Sequence, residues 1–597
     1  MNRTNSLTVA IVPFVFFSAA ASPAQDERWI EPRCEVLPMT KELQGQIVQL
    51  GDGSLLTVEG GNPIFDKEKR FGAIRISKDE GESWSEPQTI YDGPGPGIPS
   101  DAGVLVRTRN GALVLVYMDL STYKWGWDDA KGEPHDDVRL DVWSIRSLDD
   151  GKTWEDRQKI FDGYCGALIN MVQTTSGRLV VPVQRLLRGP GRHAMCAYIS
   201  DDDGKTWKHS NIIDLGGAGH HGGAMEGTVA ELHDGRLLML IRTVWGRFWE
   251  AYSEDQGLSW RTIQPSSVPA CSAPGYLIRL VSGRLALAWN PDKMGRQELS
   301  LAFLKNDGRT WTDPIAIARD EGQQISYPHV FERRPGELWV MNRWPPGRPP
   351  LRLRLRETDF ATIPAPVKIV AFGDSTTAFR GSIKKVYSQR VAEALPAHGI
   401  SAWVVNSGVG SSTTREARSR FERDVLAHHP KVVIIMLGAN DSAIDVWKNP
   451  PATQSRVSRE EYAENLSYFC KTLKTQGAKV ILMTPTPFRW TPKLKELYGK
   501  PPYDVNDPNG FSAPLAEYCE IMRKIAREEE VTIIDLFQAF QDYDRVDGQS
   551  VEDLLLDGMH PNDLGHELVT ELLVPEILKL APKDTPEIRR SGKRGGS

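Results

Sequence analysis

Two kinds of hydrophobic patterning divide the chain. Between about residues 40 and 360 the apolar residues come in short runs that directly follow a glycine, as at Ala112–Tyr117, Arg178–Val183, Arg236–Ile241 and Arg284–Trp289. Short apolar runs bounded by turn residues predict β-strands. From Lys368 onward longer apolar runs alternate with amphipathic stretches. Strands are predicted at Lys368–Phe372, Ala402–Asn406, Lys431–Leu437, Lys479–Thr484 and Val531–Leu536, with helices between them such as Tyr387–His398 and Arg459–Gln476. Continuously apolar strands separated by helices predict a parallel sheet covered on both faces, hence a three-layer α/β domain.

The first region also carries a repeat. Five segments have or approach the form Ser-x-Asp-x-Gly-x-Ser/Thr-Trp: Ser77–Trp84, Ser147–Trp154, Ser200–Trp207, Ser253–Trp260 and Leu304–Trp311, the last with Leu and Asn in place of Ser and Asp. Their starts are 70, 53, 53 and 51 residues apart. A period near fifty residues marks a propeller blade or a solenoid unit. The chemistry of each segment favours the blade. The Asp can accept from its own turn's amides, the Gly supplies a positive φ, and the Trp packs the turn onto a sheet. Residues 40–360 at this period make about six four-stranded blades. The longest interval holds an insertion, Met118–Asp137, rich in Trp and Tyr.

These segments resemble the Asp-box repeats of the sialidase superfamily over about half the chain. The resemblance implies a six-bladed β-propeller, with the boxes as structural turns remote from the family's active site. It also implies where a glycan site would lie. Glu226 resembles the family's Glu, Arg242 its second Arg and Tyr327 its late Tyr. A sialidase clamps a sugar carboxylate with three Arg, yet the first blade here reads Gln44-Gly45-Gln46-Ile47 with no Arg. Arg279 and Arg296 are the candidates for a third clamp, and no Asp stands out as the acid. The trio Glu226, Arg242 and Tyr327 is therefore open to three readings: a self-satisfied polar hub, a glycan-binding site without hydrolysis, or a glycosidase site. Trp125, Trp127, Trp245 and Trp249 are candidates to stack on sugar faces or simply to pack, and His220-His221 reads as loop.

In the second region four short motifs fall at predicted strand ends, where parallel α/β sheets hold their reactive groups. They are Gly373-Asp374-Ser375-Thr376, Asn406-Ser407-Gly408-Val409-Gly410-Ser411, Gly438-Ala439-Asn440-Asp441 and Asp557-Gly558-Met559-His560-Pro561. Chemically these are a nucleophile, a turn with free amides, an amide side chain and an Asp-x-x-His pair, the parts an acyl transfer needs. In that order, over about 200 residues, they resemble the SGNH or GDSL hydrolases, whose sheet is flavodoxin-like. The resemblance implies Ser375 as nucleophile, His560 as general base and Asp557 as its orienting partner. The oxyanion hole would use the Ser375 amide, the Gly410-Ser411 turn and the Asn440 side chain, with Ser411 standing where the family has Gly. His566, six residues beyond His560, reads as structural.

Composition removes alternatives. With 72 Lys and Arg against 78 Asp and Glu, the net charge of −6 argues against a nucleic-acid partner. A hydrophobic content of 40% is enough for real cores. Met1–Ala24 has an early Arg, an apolar run and a small-residue stretch, and reads as a secretory signal peptide. That run is too short to span a membrane, and no later segment is long enough. The six cysteines show no C-x-x-C pairing, so no metal site is indicated, and ester hydrolysis through serine needs no metal or organic cofactor. The Pro- and Arg-rich stretch after Arg343 reads as the domain boundary. The expected organisation is a signal peptide at 1–24, a propeller at 40–360, a hydrolase at 366–581 and a disordered basic tail at 582–597. Functionally this predicts a secreted serine esterase that removes acetyl groups from a glycan, the propeller binding the polymer. The alternative is a bifunctional enzyme whose propeller is an exo-sialidase or another glycosidase.

Overall fold

A computed structural model describes residues 28–38, 45–59, 72–90, 103–305, 308–344 and 350–580. The expected signal peptide, the basic tail and Gln44 lie outside these residues. The first region forms six antiparallel sheets of four strands arranged as propeller blades. Blade 4 is typical: Met225–Glu231, Leu237–Arg242, Arg247–Ser253 and Thr262–Pro269 run from the axis outward. Its two central strands are buried almost throughout, because each face packs on a neighbouring blade.

Four of the repeat segments are superimposable hydrogen-bond circuits. In Ser200–Trp207, Ser200 Oγ donates to Asp202 Oδ1 (2.8 Å), the Gly204 amide donates to Ser200 Oγ (2.9 Å), and Thr206 donates to both carboxylate oxygens (2.8 and 2.6 Å). Ser77, Ser147 and Ser253 head the same circuits. Positive φ falls on the glycine and also on the residue before it: Glu80, Asp150, Asp203 and Gln256. The turn closes against the preceding blade, since a Cβ on Gly204 would lie 2.7 Å from Val114, in blade 2.

The ring is closed by chain from both ends of the region. Glu35–Val36 pairs antiparallel with Arg352–Arg356 as the outermost strand of blade 6, and Trp29–Ile30 adds a fifth strand to blade 5. The propeller therefore begins before residue 40. The Arg-rich stretch read as a boundary is also, at Arg352–Arg356, a blade strand: Leu353 and Leu355 face the core at strand period, and Arg352 is buried over the Trp339 ring at 4.8 Å. The linker proper is short and packed, with Phe360 buried beneath Arg33.

The second region is a five-stranded parallel sheet. Its strands, numbered along the chain, are β1 (Val367–Gly373), β2 (Ala402–Gly408), β3 (Val432–Met436), β4 (Lys479–Met483) and β5 (Thr532–Ile534), in spatial order 2-1-3-4-5. Helices Tyr387–Ala394 and Asp563–Leu580 cover one face, and Thr414–Asp424, Arg459–Thr475 and Ala513–Glu528 the other, each over its own apolar cluster. All six cysteines are free thiols.

The hydrolase docks on the propeller face that carries the repeat turns. Trp403 of β2 lies under the Arg279 guanidinium at 5.1 Å, Lys368 Nζ donates to the Val281 carbonyl (3.1 Å), and Arg423 donates to Asn110 (2.7 Å). Trp403 and His428 line the end of an axial cavity of about 570 Å3 and so cap the channel from below.

Closure by distant strands carries an expected outcome. Truncation through Val36 strips the outer strand from blade 6 and should lower the propeller's thermal midpoint by several degrees while speeding tryptic cleavage. Calorimetry and limited proteolysis measure both, and an unchanged midpoint would contradict the closure role.

Candidate active site

Parallel strands end at one edge of their sheet, and β1, β2 and β3 each deliver one motif there. β1 ends at Gly373, where a Cβ would lie 2.1 Å from Thr377 Oγ1 and 2.8 Å from the Met436 carbonyl, so only glycine fits. The chain then turns through Asp374, whose Oδ1 accepts from the Thr376 amide and hydroxyl (2.9 and 2.8 Å). This pins the turn and leaves Ser375 half-exposed on a pocket of about 430 Å3. Burial pushes the Asp374 carboxyl up from its ordinary value.

His560 arrives from the far end of the domain. Its Nε2 lies 2.9 Å from Ser375 Oγ, and its Nδ1 lies 2.9 and 3.0 Å from the two Asp557 oxygens. Asp557 also accepts from the Met559 and His560 amides (3.1 and 3.0 Å). Burial opposes ionisation of Asp557, but His560 and these amides outweigh it and hold the carboxyl well below the usual range. With Nδ1–H committed to Asp557, Nε2 is free to accept the serine proton. That is the relay a serine nucleophile requires.

The remaining sequence-expected groups converge on the same pocket. Gly410, Ser411 and Asn440 line it. Ser411 has φ of +61°, the left-handed conformation for which glycine is suited. Asn440 Nδ2 donates to Asp374 and to the Ser412 carbonyl (both 3.3 Å), while its Oδ1 accepts from Arg456 (3.1 Å). Arg456 is in turn held by Asp445 at 2.7 Å.

Three contributors escape the motifs. Arg456 fixes the orientation of the Asn440 amide. Arg420 donates to the Gly373 and Ser407 carbonyls (2.8 Å each) and so ties the ends of β1 and β2 together. The pocket's outer wall is aromatic, with Tyr498, Tyr503 and Phe488 gathered about Phe511 at ring separations of 5.2 to 5.4 Å. The stretch from Phe488 to Phe511, with four Pro, two Tyr and one Trp, is the sequence signal that could have found this wall. His566 lies buried on the last helix, accepts from the Tyr387 amide (3.2 Å), and has its pKa pushed down to about 4 by burial.

The propeller trio meets at the opposite face, in a pocket of about 380 Å3. Tyr327 Oη donates to Glu226 (2.8 Å), and Arg242 donates to Glu226 (2.5 Å) and Tyr327 (3.2 Å). Burial opposes the Arg242 charge, but Glu226 and Tyr327 more than compensate and raise its pKa. Glu226 and Tyr327 both sit at positive φ, 42° and 58°. Arg296 joins them, its guanidinium 5.7 Å from the Tyr327 ring, and Trp125, His220 and His221 line the wall. Trp127 packs on His220 at 6.0 Å, whereas Trp245 and Trp249 pair with each other at 5.5 Å.

Arg279 is not a clamp. It lies at the docked face, donating to the Glu231 and Gly283 carbonyls, because the inner strand of blade 5 has carried it to the far end of the channel. Gln46 donates to the Ile169 carbonyl (2.9 Å) and accepts from the Leu105 amide (3.2 Å), stitching blades together. Among the described residues two arginines, Arg242 and Arg296, line this pocket. Among the described residues no group of His, Cys, Asp and Glu is arranged to hold a metal.

The fold and this site define a carboxylic ester hydrolase joined to a six-bladed propeller. The chain belongs to the GDSL-like lipase/acylhydrolase family, matched over residues 371–568, and carries a BNR repeat-like domain, matched over residues 66–340. It is 31% identical over 214 residues to the "uncharacterized lipoprotein YqeF" of Bacillus subtilis (strain 168), covering 34% of this chain and 86% of that one. It is 27% identical over 177 residues to an acetylxylan esterase of Geobacillus stearothermophilus, covering 29% of this chain and 71% of that one. The crystal structure of a lipase/acylhydrolase from Enterococcus faecalis is 28% identical, covers 37% of this chain and all of its own, and aligns with a TM-score of 0.29.

Two outcomes follow from the geometry. Ser411→Gly relieves an L side chain at positive φ and should raise stability by about 0.5–1 kcal/mol in urea unfolding, with the pocket intact. Asp441, beside Asn440, has one oxygen held by Thr414 and the other buried without a hydrogen-bond partner among the described residues; burial pushes its pKa from 3.8 up to about 7. The folded state therefore prefers the protonated carboxyl, and stability is lost as pH rises from about 4 to about 7. Asp441→Asn should remove that loss, so its advantage over wild type should be larger at about pH 8 than at about pH 5; equal advantages at the two pH values would refute the assignment.

Proposed function

We propose that the protein is an exported, carbohydrate-directed serine esterase that removes acetyl groups from a glycan through an acyl-Ser375 intermediate. The observation that carries this reading is the Ser375–His560–Asp557 relay, 2.9 Å at each step, opening on a pocket with an amide-bearing turn on one side and an aromatic wall on the other. His560 Nε2 takes the hydroxyl proton as Ser375 Oγ attacks the acetyl carbonyl carbon. The developing oxyanion is received by the Ser375 amide, the Gly410-Ser411 turn and the Asn440 amide, groups of the kind whose single loss costs about 100- to 1000-fold in kcat. His560 then returns the proton to the departing sugar oxygen, leaving Ser375 acetylated. A water activated by the same imidazole attacks the acetyl carbon, releases acetate and restores the hydroxyl.

The aromatic wall suits the apolar face of a sugar ring, and relatives named acetylxylan esterase support an acetylated polysaccharide as the substrate. Export rests on the reading of Met1–Ala24 as a signal peptide. In this reading the propeller holds the polymer and raises its local concentration at the esterase.

One observation favours a second activity. Tyr327, Glu226 and Arg242 are mutually hydrogen-bonded on an open pocket rather than in a dry blade core, and two of them hold strained backbone. A product assay on acetylated xylan and on an O-acetylated sialoglycoprotein separates the readings. Ser375→Ala should lower acetate release by at least about 1000-fold while the fold persists. Undiminished acetate release would sink the esterase mechanism, and free sugar persisting in that variant would establish a second active site in the propeller.

A further inference from the structure

A cavity of about 680 Å3 lies between the two domains and is not used by the reaction at Ser375. One wall is propeller: Tyr252, Glu254, Leu258 and Arg261, around the repeat turn of blade 4. The other wall is the segment that leaves the nucleophile, Phe379 to Lys385. Arg380 lines this cavity and the Ser375 pocket alike, and its Nη1 stands 3.8 Å from Asp557. The two spaces therefore adjoin at one side chain.

Both walls are fixed before any ligand arrives. The hydrolase segment is pinned by Asp563, which accepts from the Lys384 and Lys385 amides (3.1 and 3.3 Å). Phe379 packs against Gly235 at the base of blade 4, where an added Cβ would sit 3.4 Å from its ring. The propeller wall is held by the Ser253–Asp255 circuit. A backbone held in this way adds no loop-ordering cost to binding.

The cavity's chemistry is that of a saccharide site. Glu254 and Lys384 are exposed and form no ion pair among the described residues, and Arg261 is exposed beside them. Leu258 is 37% exposed and, with Phe379, offers an apolar surface between the charged groups. Polar groups that can pair with hydroxyls, set around an apolar patch, are what a sugar chain presents partners for. An esterase pocket takes the acyl group and the sugar bearing it, so the rest of a polymer must lie on adjoining surface.

We propose that this interdomain cavity is a distal saccharide subsite of the esterase, through which the propeller contributes directly to binding of the polymer whose ester is cut at Ser375. The proposal rests on the carbohydrate-esterase reading. Its test uses the full chain, comparing wild type with the double variant Glu254→Ala/Arg261→Ala. The substrates are acetylated xylo-oligosaccharides of increasing length and para-nitrophenyl acetate. In wild type, kcat/KM should rise with chain length. The double variant should lose roughly fivefold or more on the longest chains, through KM, as expected for lost hydrogen bonds to charged groups, and keep its activity on the aryl ester. An unaltered length profile in the variant overturns the subsite. A matching fall on the aryl ester does so too, since the effect would then lie at the Ser375 pocket. If wild type cleaves the aryl ester but shows no gain from acetylated oligosaccharides, the carbohydrate reading itself fails and the subsite with it.

Discussion

The common constraint in both halves of this molecule is that strands running in one direction bring their ends to one edge. In the hydrolase, β1, β2 and β3 are parallel and adjacent, so Ser375, Ser411 and Asn440 emerge side by side although they are separated by tens of residues. In the propeller the first strand of every blade lines the axis. Glu226 and Tyr327, each near the start of such a strand, therefore meet across two blades. Arg279, at the end of one, is delivered to the opposite face. Strand direction decides which residues can cooperate before any side-chain contact is made.

The second determinant is how the two bodies are joined. The linker is packed, with Phe360 buried and Arg284 paired to Glu357 at 2.8 Å, and the hydrolase caps one end of the axial channel with Trp403. This leaves the propeller's open pocket on the face away from Ser375. Any cooperation between the two pockets must then act on separate parts of a long substrate rather than on one bond. The surface where the domains do meet is instead close to the nucleophile, through the segment from Ser375 to Lys385.

Much of this was legible in the chain. The recurring Ser-x-Asp-x-Gly turns implied blades because each circuit is local, closed within a few residues, and so independent of what surrounds it. The four hydrolase motifs were legible for a related reason: strand ends that carry chemistry need glycines and small polar residues in fixed order. What stayed hidden depends on pairing over long separations. Nothing local in Glu35–Val36 or Arg352–Arg356 announces that they will lie side by side. The grip of Arg456 on Asn440, and of Arg420 on two strand ends, likewise exists only once distant segments are packed. Arg279 and Arg296 could not be ranked in sequence because spacing within a strand does not say which end of the channel the guanidinium will reach.

The closing strand has a consequence for the order in which the molecule comes into being. Glu35–Val36 leaves the ribosome some 320 residues before its partner Arg352–Arg356. At about 5–20 residues per second that is a delay of roughly 16 to 64 s. During it, Glu35–Val36 has no strand to pair with, and the ring is completed only as the hydrolase begins to be synthesised. The propeller thus matures late, almost together with the enzyme docked on it. Until its two ends are joined, the nascent chain carries Glu35–Val36 as an unpaired strand open to pairing with other chains.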